Sequence, residues 1–547
     1  MQVRRRAAWA VPASLIVVTS ALAGCGGDDE GGGSANTSAV VTIGIAEPQF
    51  LIPTNTNETS GSQVLAALYT PLVDYDAQNK PYEVAAESIT PSNGNKTWTI
   101  KLKDGYTFHN GEKVTSDSFI DSWNYGAYGP NGQNNNYFFD KIAGYADMNT
   151  SDPDGDGPKT APVPKAKTLS GLKKVDDLTY TVDLTNPFID FKTLLGYTAF
   201  YPLPKAAFES DGSVKKDFEN APVGNGPFKM KGTWQHDQQI EVERYDAYPG
   251  TKPKVAGAIF KVYLQPTAEY NDLLAGNVDV MKQIPTENLT TAPNDLGDRF
   301  LKSPASSLQI LAFPTYDPKF AKVEVRKAIS MAIDRDEQVT AIFKGSQTSA
   351  RSFVSPVVAG YRPDTCGDAC KYNPTAAKEA YTAAAGPSSL VITYNADGGH
   401  KDWVEATCNQ LKNNLGVTCT AQPEAKFADL LTKLDKKQNV GMFRMGWVMD
   451  YPSMENYLGP LYTTNGSSNY YGFSNKEFDD LVAAGQQAET AEAAIVKYQA
   501  AEDILAKEMP VMPMRFGQNV FGHSERTRNV AMDLFNRVDL LQIEVVS

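Results

Sequence analysis

Few residues in this chain are spaced for covalent chemistry. Ser170-x-x-Lys173 and Ser213-x-x-Lys216 match the spacing of a serine nucleophile beside a lysine, but no companion motif follows either pair. The four histidines, His109, His236, His400 and His523, are scattered, with no H-E-x-x-H helix and no G-x-S-x-G elbow. No phosphate-cradling loop or dinucleotide fingerprint occurs. Asp152-x-Asp154-x-Asp156-Gly157 fits the first half of a calcium loop, whose oxygens suit a hard cation. Val163 stands where the bidentate Glu belongs, so the segment reads as a solvated acidic loop. With no nucleophile, base or metal set, the chain reads as no enzyme, with no metal site and no cofactor.

The cysteines offer redox chemistry of a structural kind. Cys366, Cys370, Cys408 and Cys419 form an even set, consistent with two disulfides in an exported protein. Four cysteines allow three pairings; the near neighbours 366–370 and 408–419 are favoured. A zinc site finds no support in the C-x3-C spacing or in nearby histidines.

Elements that could position these residues alternate between strand and helix periods. Lys96 to Asp104 places Trp98, Ile100 and Leu102 on one face, a half-buried strand ending at the turn Asp104-Gly105. Thr179–Leu184 and Gln239–Arg244 read as further strands. From Val325 the period becomes helical through Ala328, Ile329, Ala332 and Ile333 to Ile342, with Gly345 where a helix would stop. Phe478 to Lys507 is another helix-rich stretch, closed by Met509-Pro510. This alternation favours an α/β class with mixed sheets.

The N-terminus fixes an expected location. Arg4, Arg5 and Arg6 precede an apolar run from Ala7 to Leu22, and the segment closes on Leu22-Ala23-Gly24-Cys25. The run is short for a membrane span. A Cys after Leu-Ala-Gly resembles the lipobox of bacterial lipoproteins, which implies a leader over 1–24 and a diacylglycerol on Cys25. The Gly-rich, acidic stretch that follows, to about residue 40, reads as a flexible tether. The protein is therefore expected outside the cytoplasmic membrane, held to its outer face by lipidated Cys25. At 547 residues the chain exceeds one core and should divide into lobes. Its formal charge of −13 argues against nucleic acid and against direct adsorption to anionic lipid.

Several segments together resemble the extracytoplasmic solute-binding proteins of family 5, which serve peptide and nickel ABC importers. Phe108-His109-Asn110-Gly111-Glu112-Lys113-Val114-Thr115 resembles the family's F-H-D-G-x-P-V-T signature. Pro222-Val223-Gly224-Asn225-Gly226-Pro227-Phe228 resembles its P-V-G-T-G-P-Y turn, with Asn225 in the Thr place. Arg326 to Arg335 resembles R-x-A-L-x-x-A-I-D-R, and Gly446-Trp447-Val448-Met449-Asp450-Tyr451 resembles G-W-x-x-D-Y, with Met454 departing from its last Pro. Within the family, Tyr394 to Lys401, Trp403 to Ala406 and Gly171 to Asp177 are similar to an actinobacterial oligopeptide-binding lipoprotein.

The resemblance implies an α/β, two-lobed periplasmic-binding-protein-like clamp (type II, cluster C) with mixed sheets and an extra subdomain. Lobe I would take 41–80, 200–300 and 515–547, the extra subdomain 81–199, and lobe II 301–514. It implies an oligopeptide ligand, captured between the lobes and delivered by a monomer to an ABC permease and ATPase. Asp450 matches the carboxylate that receives the peptide's α-ammonium, a buried charge that needs a partner; the residue reading is a turn Asp before Tyr451-Pro452. Trp447 would line the cleft, and the main chain of Gly446 and Val448 would bond the peptide. Arg444 and His400 match positions near the peptide's carboxylate, with Asn395 on the same strand end; Glu58 and Tyr137 fall near further contact positions. The rival ligands are an oligosaccharide, haem or a nickel chelate, and the rival role is a peptide-binding, chaperone-like lipoprotein without transport.

Overall fold

The computed structural model describes residues 36–546 apart from 77, 151–162, 397–398, 426 and 439. The 1–24 leader, Cys25, most of the tether and the Asp152 loop lie outside the described residues. No described helix is long and apolar enough to cross a membrane.

Two 13-residue strands, Phe300–Ala312 and Val511–His523, organise the molecule. They pair antiparallel from Phe300↔Gly522 to Ala312↔Val511, with irregularities between Pro304 and Leu308 and at Gln309/Ile310. At their 300/522 end the neighbour is Val280–Met281, which leads to Val40–Ile45, Gly257–Val262, Gln239–Arg244 and Phe228–Met230. At their other end the neighbour is Met442–Trp447, followed by Ser389–Asn395 and Thr418–Glu424. One mixed sheet thus runs through two cores, and this strand pair joins them.

Three large hydrophobic cores form, with a smaller fourth around Tyr270, Leu273, Met281 and Leu296. One gathers Val41, Leu65, Phe260 and Ile543; another gathers Leu311, Phe353, Trp403 and Tyr457. The third lies within 72–200, where Phe119 and Trp123 of the helix Ser116–Ala127 pack on Tyr180. That core rests on a separate four-stranded antiparallel sheet, in which Trp98, Ile100 and Leu102 face inward. Tyr451 crosses into this core and meets Phe188 edge-on at 6.1 Å between ring centroids.

Two of the family-like motifs lock each other. His109 donates its backbone N–H to Gly224 O (2.8 Å) and brackets the turn with both ring nitrogens, at Gly224 N and Gly226 O, each 3.2 Å away. A Cβ on Gly224 would stand 1.9 Å from the Leu68 carbonyl oxygen, so the turn's close approach requires glycine there. Asn225 replaces the usual Thr and accepts from Thr70 N at 2.9 Å.

The helical period from Val325 to Ile342 is two helices, Val323–Met331 and Arg335–Ala341, rather than one. Asp334 caps the second by accepting from Glu337 N (2.9 Å), and Arg335 donates to the carbonyls of Ser330 and Pro513. The 478–507 stretch likewise divides into Lys476–Gln486 and Ala491–Glu508, with Thr490 capping the latter. Disulfides join Cys366 to Cys370 and Cys408 to Cys419. The second ties the helix Lys401–Leu415 to the sheet-edge strand that follows it.

Candidate ligand-binding cleft

The strand Met442–Trp447 ends at Trp447, and a tight loop carries the chain through Asp450 into the helix Glu455–Tyr462. Asn456, in that helix's first turn, organises the loop. Its Oδ1 accepts from Trp447 Nε1 (3.0 Å) and from Asp450 N (2.9 Å), while its Nδ2 donates to Asp450 Oδ2 (3.1 Å). The Tyr137 hydroxyl, which lines the same cavity, favours the charged form of the Asp450 carboxylate. Burial pushes this carboxyl up to about 6, against the opposing effect of those bonds and of Lys141.

Tyr137, Lys141, Trp447, Asp450 and Glu455 line one cavity of about 700 Å³. Glu455 is spoken for, accepting from Tyr451 Oη and from Gln486 Nε2. Asp140 and Asp479 also line it, the first paired with Lys141 at 3.8 Å and the second accepting from Thr464 N, while Asp450 is offered at the wall by a loop of fixed shape. The arrangement can neutralise an ammonium brought out of water.

A second group lies on the same strand, upstream. Arg444 donates to Gln309 Oε1 at 3.0 and 3.3 Å and to Asn395 Oδ1 at 3.3 Å, with its guanidinium carbon 5.5 Å from the Phe427 ring centroid. His400 is buried and accepts from Trp403 Nε1 at 3.2 Å through Nδ1. Beside them the Arg515 guanidinium sits between the rings of Phe343 and Trp403, 4.2 and 4.7 Å from their centroids.

Between the two groups the strand offers an edge. Its partner on one side runs from Leu308↔Trp447 to Ala312↔Phe443, which pairs Gly446 with Gln309. On the other side Ser389–Asn395 pairs only at Met442 and Phe443. At Gly446 and Trp447 that side pairs with no strand among the described residues, which suits an added one. Val448 follows and is 62% exposed.

The structure therefore gathers Tyr137, Trp447 and Asp450 at one cavity, and Arg444, Asn395 and His400 at the far end of the same edge. Glu58 stands outside both groups, spending its carboxylate as the N-cap of Thr59–Leu68 by accepting from Ser60 N (2.6 Å) and Gly61 N (2.7 Å). Three residues carry no motif that marks them: Asn456, Lys141 and Arg515. Only Arg515 has a sequence signal, a lone charge in the apolar run Val511 to Phe516.

The profile of the bacterial extracellular solute-binding proteins, family 5 (middle region), matches residues 80–469. The oligopeptide-binding protein OppA of Bacillus subtilis is 27% identical over 549 residues, covering 96% of this chain and 97% of that protein. The periplasmic murein peptide-binding protein MppA of Escherichia coli is 26% identical over 479 residues, covering 86% of each. Among solved structures, the unliganded open form of MppA matches with TM-score 0.81 at 23% identity, over 94% of this chain and 99% of that one. Haemophilus influenzae OppA in complex with RPPGFSPFR matches with TM-score 0.69 at 23% identity, over 94% and 100%. The matched profile spans most of the sequence: the chain belongs to the bacterial extracellular solute-binding proteins of family 5.

Proposed function

We propose that this protein is a peptide receptor of an ABC importer, which encloses an extended oligopeptide between its lobes and hands it to a permease and ATPase. The observation that carries this reading is the Asp450 carboxylate, held at a cavity wall beside an unpaired strand edge. The edge supplies main-chain hydrogen bonds that read an extended backbone without reading its sequence. Asp450 supplies the charge that a peptide α-ammonium needs once it leaves water. Trp447 packs along the ligand, and Arg444, Asn395 and His400 stand where a peptide running along the edge would end. The paired strands 300–312 and 511–523 serve as the hinge. Lipidated Cys25 and the tether keep the receptor, a monomer, at the outer face of the membrane. The peptide names borne by OppA and MppA support this choice among family solutes.

The test is native mass spectrometry on a soluble form that begins after Cys25, offered a mixed peptide pool and the same pool N-acetylated. Adducts at peptide masses that vanish on acetylation support the reading. A co-purified sugar, metal chelate or haem, with no peptide adduct, overturns it.

A further inference from the structure

Arg515 is a buried charge with no counter-charge among the described residues. It is 5% exposed, and its Nε and Nη1 are sealed from solvent with no hydrogen-bond acceptor among the described residues. The other buried arginines are satisfied. Arg326 donates to the carbonyls of Phe320, Ala321 and Met509, Arg335 to those of Ser330 and Pro513, and Arg537 pairs with Asp533 at 2.6 Å. Among the described residues, the charge acting on Arg515 is that of Arg444, of the same sign. Burial, then that charge, push its guanidinium down to about 9.

The two aromatic rings do not meet this need. Phe343 and Trp403 contact the guanidinium as cation–π partners, whereas its N–H bonds lie in its own plane and require acceptors there. A buried guanidinium left so is a cost to the fold, and an incoming acceptor removes it.

The surroundings place such an acceptor. Arg515 pairs laterally with Gln309 and Ser349, and Gln309 pairs with Gly446, so these positions share one sheet face with Arg444. Gly446 keeps that face low, since a Cβ there would meet the Gln309 side chain at 2.7 Å. Phe343, which covers the guanidinium, is half-buried on a turn whose next residues, Lys344 and Gly345, both have positive φ. The cover is thus a half-buried turn residue packed against the outside of the core. The edge at Gly446 and Trp447, which pairs with no strand on that side among the described residues, runs beside this face.

We infer that Arg515 is a deep anion subsite, which accepts a carboxylate of the bound peptide in the plane of its guanidinium between Phe343 and Trp403. The inference rests on the peptide reading above and adds a charge requirement to it. The carboxylate comes from the peptide's C-terminus or from an acidic side chain.

Calorimetry on wild type and Arg515→Met, with thermal unfolding of both, tests this. The ligands are one alanine peptide as free acid, its C-terminal amide, the amide with one Glu inserted, and the N-acetyl form. Wild type should bind the amide at least about tenfold more weakly than the free acid, and Arg515→Met should lose that discrimination. The variant should unfold at an equal or higher temperature, because an unpaired buried charge has gone. Recovery by the Glu amide in wild type alone assigns the subsite to a side-chain carboxylate. Equal affinity of wild type for free acid, amide and Glu amide overturns the inference, even if the variant fails to fold; loss on N-acetylation alone then leaves the peptide reading standing. If no peptide binds, that reading fails, and an acetate titration decides the subsite. Acetate should raise the unfolding temperature of wild type but not of Arg515→Met, and equal responses overturn it.

Discussion

Asn456 grips Asp450 at two points, donating to its carboxylate at 3.1 Å and accepting its backbone N–H at 2.9 Å. The same amide oxygen also accepts from the Trp447 indole. One side chain thereby sets both the charged and the aromatic wall of the cavity.

Asn456→Ala should therefore damage the site more than its distance from a ligand suggests. Three hydrogen bonds disappear, and half-buried donors of Trp447 and Asp450 lose their acceptor. Peptide affinity should fall by about 10- to 100-fold, and stability by about 1–3 kcal/mol. Titration calorimetry and urea unfolding measure the two effects separately.

Affinity should depend on pH through Asp450. Its carboxyl in the free protein is pushed up to about 6, so below that pH a proton must leave before an ammonium can pair. Binding should weaken about tenfold per pH unit below 6, and weaken again above about 8, where the peptide amine loses its proton. Asp450→Asn should abolish the acidic limb. Calorimetry from pH 5 to 9 reads both limbs.

Fold stability should carry a second pH signature, from Asp190. Burial, then the Glu455 charge, push its carboxyl up from 3.8 to about 7, while Tyr498 donates to it at 2.9 Å across two cores. A carboxyl raised in the folded state stabilises the fold below its unfolded value and loses that contribution as pH rises to about 7. Asp190→Asn keeps an acceptor for Tyr498 and should flatten the fall. The unfolding midpoint at pH 4 to 8 in both proteins checks this.

Gly224→Ala should separate the turn motif from binding. Its Cβ would collide with the Leu68 carbonyl oxygen, so stability should drop by about 3 kcal/mol. Protein that remains folded should bind peptide as wild type does. A denaturation curve and one titration suffice.

How much of this was legible follows from the range of the interactions. Trp98, Ile100 and Leu102 were readable because a half-buried strand alternates every two residues, and they are buried together. The loop that holds Trp447 and Asp450 was readable because it is a local motif. The break between the two helices at 332–334 was not, since Arg335 is fixed by the Pro513 carbonyl, 178 residues away. Asn456 escaped notice because an Asn in a first helical turn is ordinary, and only the folded loop points its amide at Asp450. Glu58, expected near the ligand, also caps the helix Thr59–Leu68, a bond that only the folded start of that helix reveals.

The central claim is that Asp450 receives the α-amine of a peptide. The most direct measurement is calorimetry of one peptide, with free and acetylated N-terminus, on wild type and on Asp450→Asn at pH 7. The account predicts that acetylation costs wild type at least about 100-fold and the variant little, because the charge pair is already gone. An equal penalty in both proteins, or unaltered affinity in Asp450→Asn, would contradict it.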